Sequence, residues 1–132
     1  MLSRYYVNPI LPAKDGDRAR SFYRDVLGLD LLTGPTDDPM VFGAAGGSSI
    51  ALSEMPDRVP PPYPVVSFMV TGIEELVESL KARGATFQPL SAASFAGVEG
   101  KAVGDVMDFG QAKSAFLKDP EGNLIALNEF IG

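Results

Sequence analysis

The chain has 132 residues, a 45% hydrophobic fraction and a formal net charge of −6, with no cysteine, no histidine and no tryptophan. That is one domain's worth of ordinary globular composition. The missing histidine and cysteine exclude Ser-His-Asp and Cys-His catalysis, together with the usual His/Cys zinc and His/carboxylate iron sites. A metal held only by carboxylates, carbonyls and water stays allowed and would suit Mg, Ca or Mn.

The negative charge disfavours binding to a phosphate backbone and favours cationic partners, so no nucleic acid is expected. No apolar run approaches the ~20 residues needed to cross a bilayer. The opening Met1-Leu2-Ser3-Arg4-Tyr5-Tyr6 lacks a secretory apolar core, and a cytoplasmic protein is the expectation.

In chain order, Tyr5 to Ala13 is rich in strand formers, its prolines pointing to a strand with one unpaired side. Asp15-Gly16-Asp17 supplies capping chemistry, and Ala19, Phe22, Tyr23, Val26 and Leu27 form one helical stripe, stopped by Gly28. Leu29 to Leu32, Met40 to Ala44 and Ser49 to Ser53 read as three short strands between turn compositions. Met55 to Pro64 holds five of the eleven prolines and reads as a stiff connector.

The pattern then restarts. Val65 to Val70 is a continuous apolar strand, and Thr71 with Glu74 has the spacing of a capping box. Ile73, Leu76, Val77 and Leu80 make a second helical stripe that Gly84 ends. Ala85 to Pro89, Gln111 to Leu117 and Asn123 to Phe130 are the closing strands, the last two joined by the hairpin turn Asp119-Pro120-Glu121-Gly122-Asn123.

Each half is therefore β-α-β-β-β, and each closes on the same motif: Ile50-Ala51-Leu52-Ser53-Glu54 returns as Ile125-Ala126-Leu127-Asn128-Glu129. The expectation is a single α+β domain of two tandem modules, residues 1–54 and 65–132, joined by the proline-rich linker 55–64. Only the second half carries a long insert, residues 91–110, whose apolar residues suit an ordered cover over a site.

This doubled unit resembles the vicinal oxygen chelate superfamily of glyoxalases, bleomycin-resistance proteins and extradiol dioxygenases. The likeness rests on Phe22-Tyr23 followed by Leu27-Gly28-Leu29, on the helix ending at Arg83-Gly84, and on the Asp119–Asn123 turn. The resemblance implies a cupped mixed β-sheet with the helices outside, and a divalent metal held on the concave face by the first and last strands of each half. Carried over, the metal positions fall at Asn8, Ala51, Val65 and Ala126. Three of these have no donor atom, so no metal and no other cofactor is expected, which points to a metal-free branch. Glu54 and Glu129 lie on the opposite face by alternation and read as solvated strand ends.

The same alternation names the expected lining of the cup: Tyr6, Asn8, Ile10, Ser49, Ala51, Val65, Ser67, Met69, Ala126 and Asn128. Phe95, Met107 and Phe109 join them from the insert. This mixture of small, apolar and neutral polar groups is that of a small-molecule pocket. The leading reading is a metal-free protein that sequesters a drug or natural product, by resemblance to the bleomycin-resistance branch and by resemblance a homodimer. The charge balance suits a cationic ligand.

Two alternatives stand beside it. One is a lyase, isomerase or dioxygenase relative with a lost or relocated metal site, for which Tyr6 and Lys113 are the nearest general-base candidates. The other is a regulatory or interaction module without small-molecule chemistry.

Overall fold

The computed structural model describes residues 1–89 and 100–131. Its chain divides into two units. The first comprises Met1–Pro60 with Pro120–Asn123, and the second Pro61–Asp119 with Leu124–Gly132.

In the first unit, β1 (Ile10–Ala13) leads into α1 (Gly16–Ser21), and β2 (Asp30–Leu31), β3 (Met40–Gly43) and β4 (Ser49–Glu54) follow. The sheet order is β1-β4-β3-β2, with β1 and β4 parallel and the other pairs antiparallel. Strand alternation makes this sheet two-faced. Leu11, Met40, Phe42, Ile50 and Leu52 are buried on one face, beside Ala19, Phe22 and Tyr23 of the helix. Tyr23 joins the layers: its ring centroid lies 5.5 Å from that of Phe22, edge-on, and 5.7 Å from that of Phe42. Each such fully buried side chain contributes about 1.5–3 kcal/mol.

The helical stripe forms as its spacing predicts, with one change. After Ser21 the helix widens into a π-helical turn over Phe22–Val26, closed by Leu27 N–H on Phe22 C=O at 3.0 Å. Gly28 then adopts φ 73° and lets Leu29 N–H reach Tyr23 C=O, which is how a glycine ends a helix.

The second unit repeats the plan. Its elements are β5 (Pro64–Met69), α2 (Ile73–Ala82), β6 (Thr86–Phe87), β7 (Lys101–Val103), β8 (Val106–Asp108), β9 (Ala112–Lys118) and β10 (Leu124–Phe130). Here β5 is parallel to β10, which is antiparallel to β9, which pairs with β6. Strand for strand, β5-β10-β9-β6 reproduces β1-β4-β3-β2. The addition is the β7–β8 hairpin, which joins β9 alongside Lys113 and Ser114. It is the described part of the insert that the sequence marks out. Ile73, Val77 and Leu80 of α2 are buried with Val106, Ala115, Leu117, Ile125 and Leu127.

Two expectations change. Residues 5–9 do not extend β1: Tyr6 is 85% and Val7 86% exposed, and the strand starts at Ile10. Strand propensity cannot be realised without a hydrogen-bonding neighbour, and among the described residues β4 is the neighbour of β1. The Thr71–Glu74 capping box also does not form. The N-cap of α2 is Gly72, at φ 63°, with no capping side chain of its own. Glu129 of β10 takes that role, accepting from Gly72 N–H at 2.9 Å and Ile73 N–H at 3.1 Å.

Candidate functional site

Each sheet has a helix-covered face and an opposite face. Of the residues expected to line a site, those within strands, Ile10, Ser49, Ala51, Val65, Ser67, Met69, Met107, Ala126 and Asn128, alternate onto the opposite face. In the first unit, Ile10 stands beside Ala51, which stands beside Val41, across β1, β4 and β3. Ser49 lies two positions from Ala51 on the same side. Ile10 is exposed and Ala51 is buried. Asn8 lies exposed before the strand, so Ile10 rather than Asn8 is the residue paired with Ala51. Tyr6 lays its ring on the turn at Gly47, where an added Cβ would come within 2.5 Å of Tyr6 Cε1.

The second unit brings more of the set together. Across β5, β10, β9 and β8 runs one row of directly paired residues: Met69, Asn128, Ser114 and Met107. The next row is Ser67, Ala126 and Phe116. Ser67 rather than Val65 is thus the partner of Ala126; Val65 sits two positions further along β5. Met107 and Phe109 both close over the backbone of Gly100, where a Cβ would meet Phe109 Cε1 at 2.5 Å and Met107 Cε at 3.0 Å. Phe95 lies outside the described residues.

Sequence reasoning did not find Ser114. Its hydroxyl donates to Asn128 Oδ1 at 2.6 Å, and Asn128 Nδ2 donates to Ser67 Oγ at 2.6 Å. The signal was present, since Ser114 sits opposite Asn128 once β9 and β10 are registered through their turn.

The helix-covered side carries different chemistry. Glu54 and Glu129, the last residues of the repeated motif, do face away from the cup residues; Glu54 is exposed at its strand end as expected and Glu129 is half-buried, and each also accepts hydrogen bonds. Glu54 Oε1 accepts from Gly16 N–H at 2.8 Å at the start of α1, as Glu129 does at the start of α2. A carboxylate at a helix N-terminus satisfies orphan donors and complements the helix dipole. Glu121 is a third such acceptor. It takes Lys14 N–H at 2.7 Å, Asp15 N–H at 2.8 Å, and Arg18 Nε at 2.7 Å. Burial pushes the Glu121 carboxyl up, but the Arg18 hydrogen bond and those two backbone donors outweigh it and hold it below the usual glutamate value of 4.5.

A pocket of about 220 Å³ opens beside the first turn of α1, lined by Asp17, Arg20, Asp37, Asp38 and Glu54 among others. Its carboxylates are already engaged. Asp17 accepts from Arg20, Asp37 from Gly34 N–H, and Asp38 from Ser53 Oγ and Glu54 N–H. The Asp38 bonds hold the loop to β4, and Arg20 of α1 donates to Pro35 C=O of the same loop. Lys113 is also committed: it donates to Glu74, and that bond holds its ammonium above the usual 10.5. A lysine so held stays protonated at neutral pH and cannot serve as a general base.

Among the described residues, the side chains at the inferred metal positions do not fit a divalent metal, and no cluster of three or more carboxylates that could hold one is present. The positions inferred from resemblance hold one amide among Asn8, Ala51, Val65 and Ala126, and the paired sets seen here, Ile10 with Ala51 and Ser67 with Ala126, hold one hydroxyl. A catalytic site needs about three protein ligands.

Paired βαβββ units of this topology are the architecture of the glyoxalase and bleomycin-resistance fold. The family model described as bleomycin resistance protein-like N-terminal matches residues 6–42, the stretch from before β1 into β3. No curated protein matches the sequence. Among solved structures, an antibiotic binding protein from Streptomyces sp. CB03234 is 20% identical over 96% of this chain and 96% of that one, with a TM-score of 0.69. A glyoxalase/bleomycin resistance protein/dioxygenase from Alicyclobacillus acidocaldarius is 21% identical over 97% and 92%, with a TM-score of 0.68. The fosfomycin resistance protein FosX from Listeria monocytogenes is 17% identical over 93% and 88%, with a TM-score of 0.67. The likeness to the vicinal oxygen chelate superfamily therefore stands on sequence over residues 6–42 and on fold over nearly the whole chain. Among the described residues, no helix is long and apolar enough to cross a membrane.

Proposed function

We propose that this protein binds a small organic molecule without a metal and protects by sequestration, as a bleomycin-resistance-like protein would. The observation that carries this reading is the open part of the second sheet's face opposite α2, where Ser67, Met69 and Phe130 are exposed beside the buried Ser114, Phe116 and Ala126. There a hydrogen-bonded polar row is flanked by apolar side chains left in the open, Met69 at 68% and Phe130 at 67% exposed. A few oriented polar groups set in apolar area are what a ligand surface needs. Methionine adapts to an irregular shape and phenylalanine supplies flat contact. The antibiotic-binding and fosfomycin-resistance proteins of the same fold support the reading. The commitment of Lys113 to Glu74 weakens the case for an enzyme.

The test is a thermal-shift screen of natural-product-sized molecules, run in chelator and repeated with added Zn, Mn or Ni. At least one compound is expected to raise Tm equally in both. Stabilisation only with metal, or elemental analysis giving one metal per chain after chelator treatment, would overturn the proposal.

A further inference from the structure

We infer that the face holding Ser67 and Asn128 selects a neutral ligand through a hydrogen-bond acceptor, a carbonyl set on an apolar ring system, rather than through a positive charge. This rests on the small-molecule reading above and assigns its ligand class.

The direction of the hydrogen bonds carries the argument. Ser114 is buried, and its one hydroxyl hydrogen goes to Asn128 Oδ1 at 2.6 Å. That fixes the amide so that its nitrogen points to Ser67, donating to Ser67 Oγ at 2.6 Å. One of the two lone pairs of the serine oxygen is then in use, and the hydroxyl has its one hydrogen left to give. With Ser67 exposed, its hydroxyl can turn that hydrogen toward a ligand. Each bond in such a series polarises the next, so the terminal hydroxyl is a better donor than an isolated serine. Asn128 has a second N–H to offer in the same row. Both groups that meet a ligand therefore have a hydrogen to donate, and a carbonyl oxygen is the partner that can take both.

Charge points the same way. The acidic residues nearest to this row in sequence are Glu129 and Asp108, which alternation places on the helix-covered face. Glu129 is held there by Gly72 and Ile73, while Asp108 stands opposite Lys113 and caps Gly110 N–H at 2.8 Å. On β9 the nearest charge on the face opposite α2 is Lys118, four residues from Ser114, and it is positive. Neither Glu129 nor Asp108 therefore gives this row a preference for cations. Met69 and Phe130 bracket the donors with apolar area, which asks for a ring system around the acceptor.

Three probes of one size separate the possibilities: 1-indanone, which carries the carbonyl; indane, which lacks it; and N,N-dimethylisoindolinium, which replaces it with a cation. Binding to the full-length protein is followed by two-dimensional amide NMR, reading the Asn128 side-chain amide and the Ser67 backbone. The expectation is that 1-indanone shifts these signals and binds about 10-fold more tightly than indane, the ratio one net hydrogen bond supplies. The cation is expected to bind no better than indane. Ser67→Ala should lower the preference for 1-indanone over indane while leaving indane unchanged, and Ser114→Ala, which releases the Asn128 amide, should reduce the ratio as well.

Equal affinity for 1-indanone and indane, unaltered by Ser67→Ala, would overturn the acceptor inference while leaving the binding reading intact. Preference for the cation would do the same. No binding of any probe at this face would overturn both. Ser67 is exposed, so its alanine variant tests the hydroxyl without testing the fold.

Discussion

Three glutamates that a strand or turn pattern leaves unremarkable, Glu54, Glu121 and Glu129, each accept hydrogen bonds at the start of a helix. Glu121 has the most at stake, because its side chain has no solvent exposure while Arg18, Lys14 and Asp15 donate to it. Replacing it with glutamine keeps the shape but loses the charge that Arg18 answers, an expected cost of about 1–3 kcal/mol. The pH sign follows from its lowered pKa. A carboxylate whose folded value lies below its unfolded value stabilises the fold fully above the unfolded value, and that share is lost as pH falls through the folded one. Thermal denaturation should therefore show wild-type stability declining below pH 4.5 more steeply than that of Glu121→Gln. Parallel curves would mean that the ion pair contributes nothing.

At the scale of elements, the doubled β-α-β-β-β order was legible because period and punctuation agree there. The stripe from Ala19 to Leu27 is helical and stops at Gly28 as the pattern and the glycine indicate, although Phe22–Val26 is wound as a π-helical turn rather than at a 3.6 period. What was not legible is whatever depends on a partner distant in sequence. Thr71 and Glu74 have capping-box spacing, yet Glu129, 56 residues from Ile73, displaces the box and leaves Glu74 to Lys113. The Ser114–Asn128–Ser67 series was half legible for the same reason. Alternation named Asn128 and Ser67, while Ser114 needed the register of β9 against β10. The helix cap gives a direct comparison. Glu129→Ala should destabilise by about 0.5–2 kcal/mol, the usual worth of a cap, whereas Thr71→Ala should change little. Chemical denaturation of both variants measures this, and a larger effect at Thr71 would restore the local box.

At the scale of the molecule, the exposed apolar surface at the start of the chain asks for a partner. Leu2, Tyr5, Tyr6, Val7 and Ile10 lie within nine residues, all largely exposed, next to β1, an edge of its sheet. Apolar groups concentrated this way mark an interaction surface. An edge strand beside them offers unpaired backbone groups that a second extended segment could satisfy. A stable interface buries about 800 Å² per partner, and the two tyrosines alone have roughly 150 Å² or more each to bring to it. The expected assembly is a homodimer, giving about 28 kDa by light scattering at micromolar concentration, twice the 14.0 kDa chain. Tyr5→Asp with Val7→Asp should return the protein to the mass of one chain. These residues are exposed, so the paired substitution is expected to leave the circular dichroism of the fold unchanged. A wild-type mass of one chain would defeat the dimer. A double variant that stays dimeric would move the interface away from the N-terminal segment.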